Sequence, residues 1–251
     1  MKVLLLAAGY SKRLNELTEN TPKSLLPLNG KPILDYLIEK LEKVSEIDDV
    51  YLVTNNKYIS NFEQWLETYK GRLKISLLND MTNSNEERLG AIGDIMLSID
   101  HFGINEDLLI SATDAYFEFN LNNFVEYFNL INSDLVLAKK YENREELKRL
   151  GVANLSKTGT ITLMEEKPQE PKSDIAIFAT YIYKKETLPL FHLYKSEGRN
   201  MDAPGNFVSW LYQQKPVNAF VVEQEIFDIG TVDSYNKADQ KTKTRTGEQG
   251  K

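Results

Sequence analysis

A chain of 251 residues is long enough to bury one full hydrophobic core, and its lack of cysteine excludes disulfides, thiolate zinc sites and thiol redox chemistry. With two histidines, His101 and His192, and no local motif around either, a histidine triad or histidine-rich metal site is disfavoured, and both read as structural or surface residues. A formal net charge of −7 argues against nucleic-acid binding, no run of about eighteen apolar residues offers a membrane span, and the expected setting is the cytoplasm.

The chain opens on Val3-Leu4-Leu5-Leu6, which reads as a strand buried on both faces, predicted over residues 2–8. Ala7, Ala8 and Gly9 end the run and leave backbone N–H groups unshielded, so a phosphate or a flat base can approach closely. Arg13 and Lys23 follow, one a planar fork and the other a point charge, able to neutralise a polyphosphate. Helices at 32–44, 59–69 and 90–100 alternate with strands at 50–54, 74–78 and 108–112, the pattern of βαβ units and a mostly parallel sheet. Pro32 suits a first helical turn, and Ile33, Tyr36, Leu37 and Leu41 form one apolar face behind it. A helix at 121–130 and a strand at 133–138 close this half.

After Tyr141 the pattern shifts to short strands at 151–156 and 160–165, joined by a hairpin turn at Thr158-Gly159. A strand at 175–183 and helices at 188–194, 206–214 and 231–240 complete the pattern. Residues 241–251 lack apolar content and are expected to form a disordered tail. Trp65, Trp210 and Phe207 lie on helix faces and read as core.

Ligands of open parallel sheets bind beyond the carboxyl ends of the strands, and Gly9, Asp114 and the residues after Val53 all fall at such ends. Asp114 follows Leu108-Leu109-Ile110 through Ser111-Ala112-Thr113, which directs its carboxylate into the crevice. Asp228 ends another short apolar segment. Taken alone, either aspartate reads as a helix cap or turn residue, and Arg13 and Lys23 read as solvated surface cations.

The string Leu6-Ala7-Ala8-Gly9-x-x-x-Arg13-Leu14, backed by Pro22-Lys23 and Gly30-Lys31-Pro32, is followed by Asp114, Gly151-Val152, Glu165-Glu166-Lys167-Pro168 and Phe227-Asp228-Ile229-Gly230-Thr231. In order and spacing these segments resemble the signature of the sugar-1-phosphate nucleotidylyltransferases over roughly residues 1–240. The resemblance implies an α/β fold: a Rossmann-like three-layer sandwich with a mostly parallel central sheet and a small β-rich substrate-binding portion. It implies a single domain over 1–240, with 1–140 mainly nucleotide-binding and 141–240 mainly sugar-phosphate-binding. The implied reaction is in-line attack of a sugar-1-phosphate oxygen on the α-phosphorus of a nucleoside triphosphate, expelling pyrophosphate and needing no covalent nucleophile.

Carried over residue by residue, the resemblance makes Leu6, Ala7, Ala8, Gly9, Arg13, Lys23, Arg88 and Gly90 nucleotide-binding, with Arg13 and Lys23 catalytic through the triphosphate. Gly151, Glu166, Lys167 and Thr180 fall in the sugar-phosphate set. Asp114 and Asp228 become the ligands of Mg²⁺, which favours carboxylate and phosphate oxygens. The implied partners are a nucleoside triphosphate and a sugar-1-phosphate, with no nucleic acid or membrane; oligomeric state is open.

Four segments depart from the family's pattern. Ser11-Lys12 stands where Gly-Thr is common, Thr113-Asp114-Ala115 keeps only the carboxylate of the common Gly-Asp-Asn or Gly-Asp-Met, and Tyr181 replaces a frequent Gly. Arg88-Leu89-Gly90-Ala91 stands where Gln-Leu-Gly-Thr is common, and a donors-only Arg88 cannot reproduce the two-way pairing of an amide, leaving backbone near Ala8 and Gly90 to read the base. Two alternatives follow: the same fold acting on phosphocholine or an inositol phosphate, or a catalytically silent nucleotide-binding regulatory subunit. A dinucleotide-dependent oxidoreductase is disfavoured because Gly9-Tyr10-Ser11-Lys12-Arg13-Leu14 lacks the second and third glycines of that loop.

Overall fold

Strand β1 (Lys2–Leu6) sends Val3 and Leu5 into one apolar layer and Leu4 into the other, all three without solvent exposure. The structure, a computed structural model, describes residues 1–11, 14 and 17–248. Beyond β1, the short hairpin β2 (Pro27–Leu28) and β3 (Lys31–Pro32) turns through Asn29 and Gly30, both at positive φ. There follow α1 (Ile33–Leu41), β4 (Asp49–Thr54), α2 (Ile59–Thr68), β5 (Lys74–Asn79), α3 (Ala91–Phe102) and β6 (Leu108–Ala112). Next come β7 (Ala115–Phe117), α4 (Leu121–Ile131), β8 (Asp134–Lys140), α5 (Arg144–Leu147), β9 (Gly151–Leu155) and β10 (Ile161–Glu166). The chain continues through β11 (Ile175–Tyr183), α6 (Leu190–Ser196), α7 (Pro204–Leu211), β12 (Val217–Val222), β13 (Ile226–Asp228) and α8 (Val232–Glu248).

In the main sheet, β5, β4, β1 and β6 run parallel as neighbours, with Val3 opposite Val50 and Lys2 opposite Leu108. Antiparallel β11 lies between β6 and β8, and β12 extends the far side parallel to β8. The first half of β11 also pairs with β9, which carries β10 outward as the small β-rich portion. Apolar stripes of α1, α2 and α4 cover one face of the sheet, those of α3, α6 and α7 the other, giving the expected three layers. The aromatic readings also hold: Trp65 donates Nε1–H to Asp35 at 2.8 Å, and Phe207 is fully buried.

Three differences from the sequence-based expectations have local causes. Pro32 is not in the first helical turn: it is held extended in β3, and α1 starts at Ile33, whose N–H donates to Leu26 O. Strand β12 has no predicted counterpart, although the run Val217–Val222 is rich in β-branched residues; it is recognised only through its ladder with β8. Instead of the disordered tail expected from Lys241, α8 runs on to Glu248. Thr242 is buried, and Asp239 accepts from the Asn29 N–H at 2.7 Å and from Lys243 one turn on, so packing against the β2–β3 hairpin supplies what apolar content does not.

Candidate active site

Every predicted site residue within the described set lines one cavity of about 630 Å³ at the carboxyl ends of β1 and β6: Leu6, Ala7, Ala8, Gly9, Lys23, Arg88, Gly90, Asp114, Gly151, Glu166, Lys167, Thr180 and Asp228. Arg13 and Lys12 lie outside the described residues. Neither histidine lines this cavity; His192 meets Asp100 at 3.1 Å, and His101 packs edge-on to Phe102.

The loop after β1 is held open by its neighbours. Ala7 N–H donates to Val53 O, Thr54 Oγ1–H donates to Ala7 O at 3.2 Å, and fully buried Asn55 donates from Nδ2 to Ala8 O at 2.9 Å. Nothing approaches the Cα of Gly9 on its side-chain face, so its backbone is accessible. Ser11, where glycine is common in the resembled family, has φ 49°, a left-handed conformation that costs a non-glycine residue about 1–2 kcal/mol.

Lys23 begins a short 3₁₀ turn, Lys23–Leu25, pinned to the end of β6. Ser24 Oγ and Thr113 Oγ1 are 2.6 Å apart, and Thr113 donates to Leu6 O at 3.0 Å. These bonds place Lys23 Nζ 2.6 Å from Asp114 Oδ2, with only 12% of the lysine side chain exposed. The β7–β13 ribbon sets Asp228 opposite Ala115, and Ile229 N–H donates to Asp114 O at 3.0 Å, so both aspartates lie at one end of the ribbon, and both line the cavity. Two carboxylates beside space for phosphates and water suit a hard cation such as Mg²⁺, which keeps several non-protein ligands. Among the described residues no cluster of three or more acidic or histidine side chains forms a fuller cage.

At the other end, Glu166 closes β10 opposite Gly151. Its carboxylate rests on the N-terminal turn of α7: a Cβ on Gly205 would stand 2.0 Å from Glu166 Oε2, and one on Gly151 3.0 Å away. Burial pushes the Glu166 carboxyl up, and Lys167 Nζ, 3.8 Å from Oε1, pulls it back. Lys167 has φ 48°, and its N–H donates to Leu150 O, which turns the chain sharply at the strand exit. Thr180 shares a 3.0 Å hydrogen bond with Ser111 Oγ across β11 and β6. Tyr181, at the departed glycine position, is buried, and burial raises its phenol well above the usual range.

The position of Arg88 is fixed by the protein: Nε donates to Asp202 Oδ1 at 3.0 Å and Nη1 to Asn85 O at 2.8 Å. Gly90 has φ 79°, and a Cβ there would lie 2.4 Å from Met201 O; Ala91 and Ile92 donate their N–H groups to Asp202 O and Met201 O. This segment therefore caps α3 with backbone carbonyls, an approach open only to glycine.

Sequence reasoning missed Asn55, which holds the loop, and Asn85, Arg149 and Asp94, which line the cavity. Asp94 carried a legible signal, an acid within the apolar stripe of Ile92, Ile95, Met96 and Ile99.

The chain matches the family described as Nucleotidyl transferase over residues 2–245. It is 27% identical over 230 residues to the bifunctional protein GlmU of Methanocaldococcus jannaschii, covering 92% of this chain and 51% of that protein. It is 25% identical over 248 residues to the UTP–glucose-1-phosphate uridylyltransferase AglF of Haloferax volcanii, covering 98% of each. A solved UDP-glucose pyrophosphorylase complexed with UDP-glucose superposes with a TM-score of 0.80 at 20% identity, over 97% of this chain and 98% of that one, a likeness of fold. The chain spans about half the length of the first two curated relatives it matches (51% and 50%).

Proposed function

The chain belongs to the nucleotidyl transferase family, and from that membership we propose that it joins a nucleoside triphosphate to a sugar-1-phosphate, giving a nucleotide-diphospho-sugar and pyrophosphate. The observation that carries this reading is the single cavity holding the small-residue loop and the Lys23–Asp114 pair at one end and Gly151, Glu166 and Lys167 at the other. Two phosphorylated substrates laid end to end fit that arrangement.

In the proposed step a phosphate oxygen of the acceptor forms a bond to the α-phosphorus, while the bond from that phosphorus to the α–β bridging oxygen breaks and pyrophosphate leaves. Backbone N–H groups of the Leu6–Gly9 segment cradle the triphosphate, and Lys23 neutralises charge that grows on the leaving group. Arg13 is assigned to the β- and γ-phosphates from its place in the motif. Lys167 meets the acceptor phosphate, Glu166 accepts hydrogen bonds from sugar hydroxyls, and Gly151 and Thr180 shape that pocket. Asp114 and Asp228 would hold Mg²⁺, which when bound supplies charge neutralisation between the two phosphates. Because one phosphoanhydride replaces another, the step is expected to run near equilibrium in both directions.

The test is pyrophosphate release with Mg²⁺ across ATP, GTP, CTP, UTP and dTTP against a panel of sugar-1-phosphates, phosphocholine and inositol phosphate. Release with a sugar-1-phosphate is the expected result; release confined to a non-sugar acceptor, or none at all, rejects the assignment. Asp228→Asn and Lys23→Ala should each lower turnover by about a hundredfold or more with little change in melting temperature. Near-wild-type rates in both would remove the two residues from the site.

A further inference from the structure

Among the described residues, the basic side chains that line the cavity are those of Lys23, Arg88, Arg149 and Lys167. Three of them are already matched by a carboxylate of the protein: Lys23 stands 2.6 Å from Asp114, Arg88 3.0 Å from Asp202, and Lys167 3.8 Å from Glu166. Arg149 differs: it is exposed, and among the described residues its guanidinium has no ion-pair or hydrogen-bond partner. The acids nearest to it in sequence are engaged elsewhere, Glu145 with Lys148 at 2.7 Å and Glu146 with Asn143 Nδ2 at 3.4 Å.

The backbone places this cation at the acceptor end. Fully buried Leu147 ends α5, and the turn behind it is closed by Arg149 N–H donating to Glu146 O at 3.1 Å and Leu150 N–H to Leu147 O at 3.2 Å. Leu150 O accepts from Lys167 N–H at 3.1 Å, just outside the pairing of Gly151 with Glu166 that joins β9 to β10. Arg149 thus precedes the backbone partner of Lys167 and shares its wall of the cavity.

Charge decides what such a cation can do. Glu166 and Lys167 offset each other, so without Arg149 this end would carry no net positive charge, whereas a phosphomonoester carries about −1.5 to −2 at neutral pH. An unpaired guanidinium can meet that dianion without first breaking an ion pair, and its planar fork donates two parallel hydrogen bonds to phosphate oxygens. We infer that Arg149 is a further substrate-binding residue, clasping the phosphate of the acceptor together with Lys167. The inference rests on the reading of this end of the cavity as the acceptor site.

Binding and turnover, measured separately, distinguish this inference from the transfer reaction. Calorimetric titration of the full chain with glucose 1-phosphate, mannose 1-phosphate, phosphocholine and inositol 1-phosphate should show at least one binding, and that one about tenfold or more weaker in Arg149→Ala. Arg149→Lys, which keeps the charge and loses the fork, should fall between the two. In pyrophosphate release, Arg149→Ala should raise KM for the acceptor by about tenfold while KM for the triphosphate stays within about twofold and melting temperature holds, a split that a merely structural role would not produce. Acceptor affinity unchanged in Arg149→Ala, equal losses of acceptor and triphosphate affinity, or no acceptor binding by the wild type overturns the inference. Acceptor binding weakened in Arg149→Ala, with no pyrophosphate release by the wild type, supports the inference and rejects the transfer reaction. Release whose acceptor KM does not move in Arg149→Ala overturns the inference and leaves the transfer reaction standing.

Discussion

Lys23 and Asp94 show how position fixes the use of a charge. Lys23 is held against Asp114 by hydroxyl bonds through Ser24 and Thr113, so its ammonium group stays inside the cavity without an apolar stripe to bury it. Asp94 is the reverse case, an acid placed within an apolar stripe and held protonated by burial and by Asp80, which push its carboxyl up to about 8. That shift has a consequence for stability. In the folded chain Asp94 keeps its proton between the usual carboxylate range and about pH 8, whereas the unfolded chain releases it, so this contribution is complete at low pH and is lost as pH rises through about 8. The unfolding free energy, followed by denaturant titration from about pH 5.5 to about pH 8.5, should fall by an amount on the order of 3 kcal/mol from this group. Asp94→Asn should flatten that part of the profile. An unchanged slope in the variant would assign the pH dependence to other groups.

At the scale of elements, turns and helix ends carry the site. The N-terminal turn of α7 supports Glu166, the β7–β13 ribbon carries Asp114 and Asp228 at one end, and the 200–203 segment caps α3 at Gly90. Gly90 and Gly205 both face close neighbours, but with different outcomes. The neighbour of Gly90 is backbone, so a side chain there strains the fold; that of Gly205 is the tip of the Glu166 side chain, which can swing away. Gly205→Ala should therefore leave the melting temperature equal or slightly raised, since alanine is the better helix former by about 0.5–1 kcal/mol. Displacement of the carboxylate should raise KM for the acceptor several-fold while KM for the triphosphate holds. Equal changes in both constants would argue that Glu166 does not serve the acceptor end.

Across the whole molecule, the layer formed by α3, α6 and α7 ties core packing to the cavity. Phe207 of α7 is fully buried, stacks on Phe191 with centroids 3.8 Å apart, and meets Tyr183 and Tyr194 edge-on at 5.5 Å. Because Pro204 and Gly205 of the same helix line the cavity, this aromatic cluster anchors the wall beneath Glu166. Phe207→Ala should cost about 3–5 kcal/mol in denaturant unfolding. A loss below about 1 kcal/mol would mean that the neighbouring rings close the space. The cavity itself opens at the carboxyl ends of parallel strands, where chain crossings leave a crevice that sheet hydrogen bonding does not fill.

The alternation of strands and helices and the parallel half of the sheet were legible in the sequence because apolar periodicity is a local property of the chain, and the family resemblance pointed to cavity-lining residues from Leu6 to Asp228 but not to Asn85, Asp94 or Arg149. The sequence did not reveal β12, whose identity as a strand depends on β8, or the helical course of α8 beyond Gln240, which depends on the β2–β3 hairpin. Nor could it pair Asp80 with Asp94: the two residues lie on different elements, and only tertiary structure brings the carboxyl groups into contact and removes the water that would otherwise let both ionise.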